Sequence, residues 1–492
     1  MAAKHSMGHN PPAGIVVPIF TGAGQMQHHQ GDNRFRLLEG SMDALGMRTW
    51  LADHARRSLD IQYYILHDGL TTRMLIQSLL DAADRGVKVR LLLDDMTLYG
   101  QDARIAALAC HDNIDVRLFN PIESGRRLAL TRVAFFLSRI ERMHRRMHNK
   151  LWLADGELAI TGGRNLGDEY YGASSEMNFS DLDLLVEGPM VGAMQASFED
   201  YWNSPYVQPI ARFRPFVPSR EEHRLWRLRV TDRMKTAMRE REDYVSSLRQ
   251  WHRSGSGPRL LADMVPAGAT LLVDSPDKIG TPEPPPVEEL VFSPLIDRVR
   301  EVREELLLVS AYFVPGELGT GLLTELARRG VRVRVLTNSL AATDLPLVHG
   351  GYTRYRELLL QAGVELYEMR ARPRRPGRWR WGGRVSLHSK ALIFDRRQAF
   401  VGSFNMDPRS AFWNTEIGVL LDSPALAGQL ARLAEQGMSL DTSYRVCLDD
   451  RGALRWQYHG KRGVRFHRVE RGGPWRTLLA FFSARFAPGN WL

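Results

Sequence analysis

Cysteine is almost missing from this 492-residue chain, which holds only Cys110 and Cys447. Two cysteines exclude a disulfide framework and a thiolate metal centre, and they favour a reducing, cytosolic setting. Long apolar runs are missing too. None reaches the length of a membrane-spanning helix, and the N-terminus lacks the basic and apolar pattern of a signal peptide. Lysine is scarce, with seven residues among the 66 Lys and Arg. Acidic residues fall short of basic ones, 56 against 66, leaving a net charge of +10 and a pI of about 9.7. That balance points to an anionic partner, either nucleic acid or a membrane surface. The rest is ordinary: 44% hydrophobic residues suffice for folded cores, and the length suits two domains.

Against this background one pattern stands out. The tetrad H-x-K-x-x-x-x-D occurs twice, as HNKLWLAD from His148 to Asp155 and as HSKALIFD from His388 to Asp395. With 15 His, 7 Lys and 30 Asp in the chain, chance would supply roughly 0.01 copies. The first tetrad is followed by TGGRN (Thr161 to Asn165) and the second by VGSFN (Val401 to Asn405), at the same interval. Two of the seven lysines sit here in an arginine-rich chain, so the chemistry asks for a compact ammonium. Apolar runs around a polar turn read as a β-hairpin, which puts His148 and Lys150 on one face, and likewise His388 and Lys390. Gly163 and Ser403, with Gly162 and Gly402 before them, would let backbone approach an anionic ligand closely, with Asn165 and Asn405 as amide donors beside it. A zinc site is the rival for paired histidines, but H-x-K offers an ammonium where a ligand is required. The other histidines, including His54, His67, His111 and His252, read as bystanders.

The duplication extends further. LDIQYYI (Leu59 to Ile65) resembles LVSAYFV (Leu308 to Val314), and RGVKVRLLLDD from Arg85 parallels RGVRVRVLTNS from Arg329. Strands alternating with helical patterns indicate an α/β fold of βαβ units and a largely parallel sheet in each half. We expect two α/β lobes about a pseudo-two-fold axis with the active site between them. The expected boundaries are a loosely ordered segment over 1–30, a first half over 31–204, a connecting helical segment over 205–256, a second half over 257–438 and a C-terminal extension over 439–492.

The strings RMHNKLWLADGELAITGGRNLGDEYYG, VLTNSLAATDLPLVHGGYTRYRELLLQAGVELYE and SLHSKALIFDRRQAFVGSFNMDPRSAFWNTEIGVLLDSP resemble the phospholipase D superfamily, most closely its bacterial cardiolipin synthase branch of the C type. The resemblance spans roughly Asn33 to Pro424 and covers both tetrads. It implies a metal-free, cofactor-free phosphatidyltransferase that makes cardiolipin through a phosphohistidine. His148 is placed as nucleophile and His388 as general acid, the reverse remaining open, with Lys150 and Lys390 around the phosphoryl oxygens. Glu416 in NTEIG matches the family position that orients a histidine, and Asp181 in FSDLD is its counterpart. Asp155 and Asp395 complete the catalytic tetrads, though they follow the hairpin turns and are expected to fix loop geometry. Hydrolysis to phosphatidic acid and nuclease activity are the alternatives. Asn338, His349, Tyr352 and Arg356 are expected to shape an acceptor pocket.

The implied partners are phospholipids and an anionic membrane surface, peripherally on the cytoplasmic side, with room for an accessory protein and no nucleic acid expected. The basic, Trp-bearing run from Arg370 to Arg384 suits lipid headgroups, single-stranded nucleic acid or plain solvent. WRTLLAFFSARF (Trp475 to Phe486) reads either as an interfacial helix or as one docked on the core.

Overall fold

In the computed structural model, the described residues are 24–29, 32–98, 101–123, 131, 133, 138, 140–213, 220–281, 283–373 and 383–486. Two sheets form the two lobes. In the first, the strands run in the spatial order Val207–Pro209, Ile114–Phe119, Lys88–Asp94, Ser58–Tyr63, Leu151–Ala154, Leu158–Gly162, Asp183–Glu187, Arg34–Leu38, Val265–Pro266. In the second, Glu365–Met369, Arg332–Asn338, Glu305–Ser310, Lys390–Phe394, Gln398–Gly402, Ile417–Asp422 and Gly268–Asp274 repeat the central seven in the same order.

The sheets are mixed rather than largely parallel. Only the three βαβ strands of each lobe run parallel, and each tetrad hairpin joins them antiparallel. The sequence pattern reports the βαβ units faithfully, but hairpins and returning strands outnumber them. The duplicated string RGV has a local cause in both lobes. Helices Leu70–Asp84 and Gly316–Arg328 each end at an arginine followed by a glycine in left-handed φ, Gly86 at 97° and Gly330 at 86°. The N–H of Val87 then bonds the Ala82 carbonyl and that of Val331 the Leu326 carbonyl, which closes the helix and turns the chain into the next strand. Strand pairing also corrects the proposed repeat. Leu59 faces Ala154 as Leu306 faces Phe394, so LDIQYYI corresponds to LLLVSAY, two residues earlier than the sequence match.

Residues of both sheets, among them Leu153, Leu184, Leu271, Leu307 and Val419, bury their side chains in one shared core between the lobes. Other elements depart from the expected boundaries. Gly24–His29, assigned to the loose N-terminal segment, pairs antiparallel with Gly268–Asp274 at the edge of the second sheet. In the connecting segment, Val207–Pro209 extends the first sheet and helix Glu242–Arg253 buries Tyr244, Val245, Leu248 and Trp251 in the first lobe. The C-terminal extension adds strands Ser443–Leu448, Leu454–Gly460 and Gly463–His467 to the second sheet. Helix Pro474–Phe486 then docks on helix Pro346–Thr353, where a Cβ on Gly350 would stand 2.2 Å from the Ala480 carbonyl oxygen.

Candidate active site

Each histidine lies just ahead of its hairpin and is held there by the opposite lobe. The strand Arg384–Leu387 pairs parallel with Met177–Ser180, and the His388 N–H donates to the Ser180 carbonyl at 2.8 Å. In mirror fashion Met147 bridges Thr415, and the His148 N–H donates to the Thr415 carbonyl at 2.8 Å. The next residue of each accepting segment is the orienting carboxylate. Asp181 Oδ2 is 2.6 Å from His388 Nδ1, and Glu416 Oε2 is 3.1 Å from His148 Nδ1. Thus every imidazole comes from one lobe and its carboxylate from the other. With Nδ1–H donating to the carboxylate, Nε2 is left for chemistry. Aromatic rings flank both: Tyr64 lies 4.9 Å from His148, and Tyr170 and Phe179 lie 5.2 and 4.9 Å from His388.

Two further residues, in equivalent places, set the backbone before the histidines. Strands Lys88–Asp94 and Arg332–Asn338 both end at the site. Asp94 Oδ2 accepts from the Met147 N–H at 3.0 Å, and Asn338 Oδ1 from the Leu387 N–H at 2.8 Å. Arg146 neutralises the buried Asp94 through its Nε at 2.8 Å. Asp94 is the penultimate residue of one of the duplicated strings, as Asn338 is of the other. Asn338 was expected at an acceptor pocket and instead ties two chain segments together, donating also to the Leu387 and Ala311 carbonyls. His349, Tyr352 and Arg356 are held by protein partners as well. They close a buried network in which Arg356 meets Glu368 and Glu470, His349 Nε2 meets Glu470 and the Tyr352 hydroxyl meets Glu368. An ion network of this kind needs its partners to offset desolvation.

Burial governs the electrostatics. It pulls the His148 pKa down to about 4, against Glu416 and with help from the Lys150 charge. Burial also lowers His388, with Lys390 adding to the effect and Asp181 opposing it. Lys150 falls to about 7 through burial, with Glu416 opposing and the Lys390 charge adding. Burial lowers Lys390 as well. Against their own burial, Asp181 is held down at about 2 by His388 and Lys390, and Glu416 is lowered by His148 and Lys150. Each lysine's charge therefore reaches the histidine of the other lobe. Two ammonium groups forced together out of water form a site short of one anion.

The remaining predicted residues divide. Lys150 Nζ donates to the His148 carbonyl at 2.6 Å, and Lys390 Nζ to the His388 carbonyl. Asn165 accepts from the Ile65 N–H at 3.2 Å and donates to the Tyr170 hydroxyl at 3.0 Å, whereas the buried Asn405 amide oxygen has no partner among the described residues. Gly163 and Ser403, expected beside phosphate, serve the carboxylates. A Cβ at Gly163 would lie 2.0 Å from Asp181 Oδ1, and the Ser403 hydroxyl donates to Glu416 Oε2 at 2.5 Å while accepting from the Ile417 N–H. Asp155 and Asp395 stand at the turns, away from the histidines. Asp155 accepts from the N–H groups of Arg56, Arg57 and Ser58, and Asp395 from those of Arg303, Glu304 and Glu305. Both adopt left-handed φ, 56° and 48°, as the following residues do, which is the geometry of a tight hairpin turn. No cluster of metal-ligating side chains occurs among the described residues.

Two half-sites of this kind, each completed by the other lobe, define a phospholipase D-type double-histidine protein. The family model described as "Cardiolipin synthase, PLD-like domain" matches residues 51–202 and 295–437, and the chain belongs to that family. It is 35% identical over 491 residues to cardiolipin synthase C of Escherichia coli (strain K12), covering 98% of this chain and 99% of the relative. It is 26% identical to cardiolipin synthase 2 of Staphylococcus epidermidis, over 79% of this chain and 64% of that protein. Its fold is similar to the crystal structure of phosphatidylserine synthase from Haemophilus influenzae, with a TM-score of 0.56 at 14% identity, over 86% of this chain and 89% of the other.

Proposed function

We propose that the protein is a phosphatidyltransferase that makes cardiolipin from phosphatidylglycerol and a second phospholipid. The observation that supports it most is the pair of buried histidines, each joined through Nδ1 to a carboxylate of the opposite lobe. One relative with a cardiolipin synthase name covers nearly the whole chain and supplies the lipid. In the first step His148 Nε2 attacks phosphorus, the P–O bond to the departing alcohol breaks, and His388 protonates that alkoxide. In the second, the now neutral His388 takes the proton from a phosphatidylglycerol hydroxyl, its oxygen attacks phosphorus, and the P–N bond breaks. Lys150, Lys390 and Asn405 surround the phosphoryl oxygens. The assignment of roles follows the shorter contact: Asp181 at 2.6 Å supports an imidazolium at His388, while Glu416 at 3.1 Å divides Oε2 between His148 and Ser403.

The protein acts peripherally on the cytoplasmic face of an anionic membrane. No helix among the described residues is long and apolar enough to cross a membrane, both cysteines are free, and the charge is +10. Vesicles of phosphatidylethanolamine and phosphatidylglycerol, given to the purified protein alone and with cell extract, should yield cardiolipin. Phosphatidic acid as sole product would make the enzyme a hydrolase, and cleavage of DNA or RNA without lipid turnover would sink the lipid reading.

A further inference from the structure

Tyr312 and His388 each follow a residue bonded to the same amide. Asn338 Nδ2 donates to the Ala311 carbonyl at 3.2 Å and to the Leu387 carbonyl at 2.8 Å. The phenol and the imidazole therefore leave neighbouring backbone, at the end of the sheet where Ser310 is the register partner of Lys390. The Tyr312 hydroxyl donates to Asp344 Oδ2 at 2.7 Å. Both groups are felt at the catalytic centre. Burial lowers the Lys390 pKa, and Asp344 joins Asp181 and Glu416 in opposing it. Burial and then Asp344 raise the Tyr312 phenol, with Tyr170 and Tyr64, the rings beside His388 and His148, adding to the effect. The loop that carries Asp344 is fixed through its backbone. Arg384, on the strand leading to His388, donates to the Ala341 carbonyl, and Arg476 of helix Pro474–Phe486 donates to the carbonyls of Leu340, at 2.9 Å, and Thr343. Asp344 itself is half-buried, and among the described residues its side chain has no hydrogen-bond partner besides Tyr312.

The first lobe has no counterpart. The pairing that matches Leu59 with Leu306 matches Ile65 with Tyr312, and the Ile65 side chain has no polar atom. The two half-sites, otherwise alike, thus differ by a phenol and a carboxylate on the side of His388. That is the side where the proposed mechanism puts the alcohol, which departs as an alkoxide in the first step and enters as a hydroxyl in the second. A carboxylate only accepts, so it selects a ligand that donates. We propose that Asp344, steadied by Tyr312, recognises the alcohol by binding a hydrogen-bond donor on the carbon beside the one that bears the reacting oxygen. A glycerol headgroup carries a hydroxyl there and an ethanolamine headgroup an ammonium. This rests on the phosphatidyltransferase reading and names the part of the substrate that the His388 side reads.

The test gives the full-length protein vesicles of phosphatidylethanolamine together with equal amounts of labelled glycerol, ethanolamine and 1-propanol, and reads which alcohols enter the lipid. The wild type should take glycerol and ethanolamine ahead of propanol, which has no second donor. Asp344→Leu should lower the ratio of glycerol to propanol on the order of tenfold, the weight of a hydrogen bond to a charged group, and Tyr312→Phe should lower it less. Asp344→Asn separates the two ligands: its amide oxygen still accepts from a hydroxyl, so glycerol should keep more of its advantage than ethanolamine, which loses the opposite charge. Equal use of the three alcohols by the wild type, a result that needs no variant to fold, would overturn the proposal. So would variants that turn over more slowly with the wild-type product ratios, since a merely structural role leaves selection intact. Turnover of no phospholipid by the wild type would instead overturn the phosphatidyltransferase reading, and this subsite with it.

Discussion

At the residue scale, the two histidines, two lysines and two carboxylates form one charge-coupled unit, and the free unit is under strain. Folding depresses the Lys150 pKa to about 7 from the 10.5 of an exposed lysine, so the folded state favours the neutral amine. The stabilisation is full above pH 10.5 and is lost as pH falls through about 7, where the charged ammonium sits buried beside Lys390. Lys150→Met should therefore raise Tm at pH 6 by about 2 °C or more, with the gain vanishing near pH 10, while activity disappears. An unchanged or lower Tm at pH 6 would show that Lys150 does not carry this strain. The histidines should act as one unit too. His148→Ala and His388→Ala should each abolish turnover, and the double variant should be no slower than either, as measured by cardiolipin formation. Additive losses would mean two separate sites.

At the scale of elements, the exchange of carboxylates between lobes is the organising device. Asp181→Asn should lower kcat by about 10²-fold or more with little change in KM, since the His388 tautomer, in the other lobe, loses its partner. Gly163→Ala should give the same kinetic result, because its methyl would displace the Asp181 carboxylate. A normal kcat in Gly163→Ala would show that Asp181 need not stand where it does. The tetrads, hairpins, βαβ units and both orienting carboxylates were legible because the chain carries each twice, and duplication separates a pattern from chance. The crossing was not legible. Strand pairs such as Arg384–Leu387 with Met177–Ser180 join residues far apart in sequence, and no local period encodes them. The same blindness put Ser403 and Gly163 beside phosphate and Arg356 at an acceptor pocket: type and spacing suggested contact with ligand, but the partners that occupy them, Glu416, Asp181 and Glu470, arrive from elsewhere in the chain.

At the scale of the whole molecule, the C-terminal helix is docked on the protein, one of the two readings of its sequence, and keeps an aromatic face exposed. Ala480 and Ser483 face helix Pro346–Thr353, and the Ser483 hydroxyl donates to the Leu347 carbonyl, while Trp475, Phe481 and Phe486 are 67%, 62% and 69% exposed. Exposed aromatics on a docked helix suit the headgroup layer. Replacing these three by Ala should weaken binding to anionic vesicles about tenfold in sedimentation. High salt should release the wild type, because exposed charges are screened over about 10 Å at 0.1 M. Equal binding to neutral vesicles at low salt would remove charge from this account. The Arg370 to Arg384 run cannot be placed in the same way, since 374–382, with Trp379 and Trp381, lie outside the described residues. Chelators should leave turnover intact, because in the proposed mechanism lysine ammonium groups take the role that a metal ion plays in other phosphotransfer sites; loss of activity together with a stoichiometric metal would contradict this.

The claim on which everything else depends is that the two lobes build one site in which His148 becomes covalently bonded to the phosphatidyl group. Rapid alkaline quenching of the wild type during turnover of phosphate-labelled phosphatidylethanolamine, the donor, with unlabelled phosphatidylglycerol as acceptor, followed by peptide mapping, addresses it directly. Label should appear on the peptide containing His148 and be absent from the His148→Ala protein. Full turnover without labelled protein, or label that persists in His148→Ala, would contradict the account.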